Sequence, residues 1–61
     1  MKVGDKVSSP RSLWSGDIGT IVGIVGDYDY IHVIFPENDK HYAYQQTFYG
    51  KNNLIIQKHK Q

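Results

Sequence analysis

Apolar positions along this chain alternate within short runs and do not recur at helical spacing, and clusters of Gly, Pro, Asn and Asp separate the runs. The most regular run is Tyr30-Ile31-His32-Val33-Ile34-Phe35, which predicts a strand. Period two puts Ile31, Val33 and Phe35 on one face, expected to face the core, and Tyr30, His32 and Ile34 on the other. Ahead of it, Lys6-Val7-Ser8 predicts a first strand, closed off by Pro10, which has no N–H to give to a ladder. Ile18 to Val25 predicts a second strand, and the glycines within it, Gly19 and Gly23, imply a bulge or a sharp bend. Gly26-Asp27-Tyr28-Asp29 is a turn cluster. Pro36-Glu37-Asn38-Asp39 is another, leading into a fourth strand at His41-Tyr42-Ala43-Tyr44 with both tyrosines on one face. Gln45 to Asn53 reads as a loop or a single 3₁₀ turn, and Leu54-Ile55-Ile56 as a closing strand. The expected fold class is therefore all-β, a small five-stranded barrel or sandwich over residues 1–57, followed by a polar tail at 58–61.

With 61 residues the chain has room for one small domain, and the absence of cysteine leaves an apolar core as the means of holding it together. The 39% hydrophobic and 21% charged fractions belong to a globular chain, and no apolar run approaches the roughly 18 residues needed to cross a bilayer. Met1 to Asp5 contains no apolar segment of the secretory kind, so a cytoplasmic protein is expected. Charge is unevenly spread. Residues 1–39 set Lys2, Lys6 and Arg11 against six carboxylates, a net of −3, whereas residues 40–61 carry four lysines and no acid, a net of +4.

Val3-Gly4-Asp5-Lys6-Val7, then Gly16-Asp17-Ile18-Gly19-Thr20-Ile21-Val22-Gly23-Ile24, then Ile31, Val33 and Phe35, together resemble the SH3-like small barrels of the KOW type. The resemblance covers most of residues 3–56 and implies a non-catalytic binding module acting on nucleic acid or nucleoprotein in the transcription or translation apparatus. A narrower likeness, through Ser9-Pro10-Arg11-Ser12-Leu13-Trp14, Gly19-Thr20-Ile21 and Asn52-Asn53-Leu54, is to the small stromal SH3-like barrels of photosystem I that help dock ferredoxin. Those imply a small accessory component of a larger complex. The turn after the second strand departs from the nucleic-acid-binding pattern, because Asp27 and Asp29 stand where phosphate would approach. Phosphate contact would then fall to Arg11, Lys40, Lys51 and Lys58.

A barrel this small fills its interior with side chains and leaves little room for catalytic machinery, so no enzyme, cofactor or metal site is expected. His32 and His41 could meet across paired strands, but the histidines lack compact metal-ligand spacing and are expected at the surface or stacked on tyrosines. The aromatic residues carry more. Trp14, Tyr28, Tyr30, Phe35, Tyr42, Tyr44, Phe48 and Tyr49 exceed what one such core can bury, and flat rings on loops make recognition surfaces. The candidate partner-binding residues are Arg11, Trp14, Tyr28, Tyr30, Lys40, Tyr42, Tyr44 and Lys51, acting by ring stacking oriented by cations. Nucleic acid is the first expected partner and a protein surface the alternative, with a homodimer through Tyr30 and Ile34 also open.

Overall fold

The computed structural model describes residues 1–57. The tail at 58–61, with Lys58, lies outside the described residues. The chain forms strands β1 (Lys6–Ser8), β2 (Gly19–Val25), β3 (Tyr30–Phe35), β4 (Tyr44–Phe48) and β5 (Ile55–Ile56), with one 3₁₀ turn at Lys51–Asn53. They make a single antiparallel sheet in the order β4-β3-β2-β1-β5, with β4 and β5 as its edges.

Strand β3 follows its alternation without a break: Ile31, Val33 and Phe35 are fully buried, and Tyr30 and Ile34 are exposed. Its partners extend the same rows. Ile24, Ile31 and Phe48 stand in register across three strands, as do Ile21, Val33 and Gln46, while Phe35 faces Tyr44. Val7 and Leu54 complete the core.

In β2 the pairing shifts between Ile21 and Gly23, which leaves Val22 as the extra, exposed residue of a β-bulge. The bulge resets the alternation, so Ile21 and Ile24 both face inward although they are three positions apart. Gly19 has a separate role: a Cβ there would fall 2.6 Å from Val33 Cγ1 and 2.9 Å from Phe35 Cδ1, so the core packs directly on its backbone.

The fourth strand differs from the sequence reading. It runs from Tyr44 to Phe48, so Tyr44 lies in the expected strand but Gln45 to Phe48 lie in the stretch expected to be a loop, while His41 to Ala43 are irregular. Tyr42 and Tyr44 consequently do not share a strand face: Tyr44 packs against the core and Tyr42 stands in solvent. The 3₁₀ turn does fall within the expected loop. His32 and His41 do not meet, because His32 sits in β3 with its Nδ1 2.8 Å from Thr47 Oγ1, and His41 pairs with Asp17 beyond the end of the sheet.

Candidate binding site

Two long loops, β1–β2 and β3–β4, close over the end of the sheet where Phe35 meets Tyr44. The first is built from two successive turns. Pro10 supplies the fixed φ favoured at the second position of a turn in which Ser12 N–H donates to Ser9 O at 3.2 Å. The buried Ser9 hydroxyl accepts from Arg11 N–H at 3.1 Å, and the Ser12 hydroxyl reaches both Ser9 O and Trp14 O, donating to one at a time. A second turn closes through Asp17 N–H to Trp14 O at 3.2 Å, with Gly16 at a φ of 94° that glycine adopts without strain.

Strand β4 clips this loop down. Gln46 points inward beside the core, where its Oε1 accepts from Leu13 N–H at 2.9 Å and its Nε2 donates to Arg11 O at 3.0 Å. Tyr44 Oη accepts from Trp14 N–H at 3.3 Å. With its backbone held at three places, the loop still presents Leu13 at 73% exposure and Trp14 at 37%. Tyr42, on the neighbouring loop, is 85% exposed.

The β3–β4 loop is organised by Asn38. Its Oδ1 accepts from Lys40 N–H at 2.7 Å and from His41 N–H at 3.2 Å, an Asx-type turn, and its Nδ2 donates to Asp17 Oδ2 at 3.0 Å. His41 joins the two loops. Its Nε2 lies 2.5 Å from Asp17 Oδ2 and its Nδ1 lies 2.7 Å from Tyr42 O. The hydrogen bond from His41, aided by that from Asn38 and opposed by partial burial, holds the Asp17 carboxyl below its ordinary 3.8. The bond to Asp17, then that to Tyr42 O, raises the His41 imidazole above its ordinary 6.5.

Four rings run from the surface into the core. Trp14 stacks on His41 with centroids 5.3 Å apart, His41 meets Tyr44 edge-on at 4.9 Å, and Tyr44 stacks on Phe35 at 5.0 Å. Shallow clefts of about 250 Å³ and 300 Å³ flank this column, the first lined by residues 37–42 and the second by Arg11, Leu13, Tyr44, Gln45 and Gln46. Among the described residues no group of three or more His, Asp or Glu is arranged to hold a metal ion.

The candidate residues divide between the two ends of β3. Arg11, Trp14, Lys40, Tyr42 and Tyr44 gather at the loop end, whereas Tyr28, Tyr30 and Lys51 stand at the β2–β3 turn. There Tyr28 is half-buried and packs on the core, with its hydroxyl donating to Met1 O at 3.2 Å and the Lys51 ammonium 5.0 Å above its ring. Tyr30 lies edge-on to Tyr49 at 5.4 Å. Sequence reasoning did not single out Leu13, Asp17, Asn38 or Gln46 for this site, and it gave His41 no part in it. The only trace they left is the turn composition of Pro36 to Asp39. No family model, curated protein or solved structure matches the chain.

Proposed function

We propose that this protein is a non-catalytic, cytoplasmic binding module of the SH3-like barrel class, and that its aromatic loop end engages a protein partner. The strand order supports the barrel class, since β5 returns to β1 after a four-strand meander. One observation carries the functional reading: the β1–β2 loop is pinned by hydrogen bonds while holding Leu13 and Trp14 toward solvent. A loop fixed in this way has little conformational entropy left to lose on association, so its apolar side chains bind at lower cost.

Charge favours protein over nucleic acid. Arg11 and Lys40 flank the rings, but Glu37 and Asp39 line the same cleft as Lys40, and Lys51 is engaged at the far end of β3. Nucleic-acid binding in the transcription or translation apparatus is the second reading, supported by the KOW-type stretch and by the exposed Trp14 and Tyr42 rings beside two cations.

The two readings separate in a titration of labelled protein with single-stranded oligonucleotide, followed at the Trp14 indole. Contacts from Arg11 and Lys40 alone give a log-log salt slope of about −1.4, roughly a sevenfold loss of affinity between 50 and 200 mM salt. Shifts with that salt response establish the nucleic-acid reading and overturn the protein one. For the protein reading, a partner captured by the wild type is expected to be lost with Tyr42→Ala and retained with Tyr30→Ala. Retention by both variants, or loss with both, refutes the assignment of the loop end.

A further inference from the structure

We propose that His41 acts as a protonation latch: as an imidazolium it locks the Trp14 loop to the β3–β4 loop, and loss of its proton releases Trp14. The bearing of this latch on partner binding rests on the reading of the loop end given above. The argument begins with hydrogen-bond inventory. Both ring nitrogens of His41 face oxygen acceptors, the Asp17 carboxylate and the Tyr42 carbonyl. A neutral imidazole has one N–H, so only the doubly protonated ring satisfies both. Its side chain is 7% exposed and its bond to Asp17 is partly buried, so water competes weakly there, whereas the bond to Tyr42 O is open to solvent.

The surroundings reinforce the cation. From the β1–β2 loop, Asp17 meets the ring directly, and the Trp14 face lies against it. From the β3–β4 loop the Lys40 ammonium disfavours the charged ring, while Glu37 and Asp39 line the adjoining cleft without touching it. From β4 comes the edge-on ring of Tyr44. When the proton leaves, one nitrogen presents a lone pair to an oxygen, and the ring must turn away from either Asp17 or Tyr42 O. Either movement breaks the column on which Trp14 rests, because the same ring carries both bonds and the stack.

The test uses the free protein and its sole tryptophan. A stacked imidazolium quenches indole emission, so fluorescence is expected to rise as pH increases through a midpoint above 6.5, with the Trp14 indole amide resonance moving at the same midpoint. Asp17→Asn is expected to move that midpoint down toward 6.5, and His41→Gln to abolish the transition, while His32→Gln leaves it in place. Dispersed core amides in each variant confirm that it is folded. A wild-type midpoint at or below 6.5, or a transition that survives in folded His41→Gln, overturns the latch. Because no partner is present, these outcomes are independent of the binding reading: a latch without Tyr42-dependent capture refutes that reading alone, and capture without a transition refutes the latch alone.

Discussion

Gly19→Ala and Gly23→Ala make the same chemical change in the same strand, and the structure gives them different outcomes. The methyl group added at Gly19 falls 2.6 Å from Val33 Cγ1, 2.8 Å from Ile34 O and 2.9 Å from Phe35 Cδ1. Favourable carbon contacts lie at about 3.5–4.0 Å, so all three approaches are repulsive. None can be relieved cheaply: Val33 and Phe35 are fully buried, and the Ile34 carbonyl belongs to a strand paired on both sides. Overpacking of this kind costs about 2–3 kcal/mol. A chain of this length has a total stability of roughly 3–9 kcal/mol, and each kcal/mol is worth about 4–8 °C, so Tm is expected to fall by roughly 10–20 °C. At Gly23 the nearest atom is His32 Cδ2 at 3.3 Å, on a half-buried ring that can yield by a few tenths of an ångström. There the loss of unfolded-state freedom, worth about 0.4–1 kcal/mol, offsets the crowding, and stability stays within about 0.5 kcal/mol of wild type. Urea unfolding followed by both Trp14 emission and far-ultraviolet circular dichroism measures the two variants side by side. Coincident midpoints, or a Gly19→Ala variant within about 0.5 kcal/mol of wild type, would refute the packing argument.

Gln46→Ala removes both solvent-accessible side-chain bonds that clip the β1–β2 loop, at a cost of about 0.5–1.5 kcal/mol, and should speed hydrogen exchange at Leu13 N–H before any core amide responds; equal acceleration in β3 would contradict the local role. Stability should also form a plateau in pH. The lowered Asp17 pKa contributes stability that is complete above 3.8 and lost as pH falls through the folded value, and the raised His41 pKa contributes stability that is complete below 6.5 and lost as pH rises through its folded value. Urea midpoints should decline on both sides of that range in the wild type, and the alkaline decline should diminish in His41→Gln.

Strand β3 was legible because it is buried on one face only and paired on both sides, the circumstance in which alternation is strictest. Strand β2 was legible in extent but not in phase. The bulge at Val22 moves Ile24 to the inner face, and a single-sequence periodicity has no means of announcing which residue is the extra one. Tyr28 reads as an exposed ring in a turn, yet it occupies a left-handed backbone conformation with φ 64° that turns its ring back onto the core. The Asp17–His41 pair was illegible for a different reason. It joins two loops 24 residues apart, and no period or local propensity encodes which loops will touch.

The misplacement of β4 bears on function as well as fold. Gln45-Gln46-Thr47 looks like a loop because an ordinary half-buried strand would place an apolar residue at position 46, opposite Val33. Gln46 can occupy that inward position because both ends of its amide are satisfied by the β1–β2 loop backbone, so burial leaves no orphaned polar group. Tyr44 follows the same logic, with its ring stacked on Phe35 and its hydroxyl holding Trp14 N–H. The polar residues that disguise β4 are therefore the ones that attach a recognition loop to the core. A leucine at position 46 would have made the strand easier to read and left Arg11 O and Leu13 N–H without these partners. On this view β3 supplies the largest share of the buried core, while β4, which adds Phe48 to it, exchanges part of its apolar burial for control over the loop that carries Leu13 and Trp14.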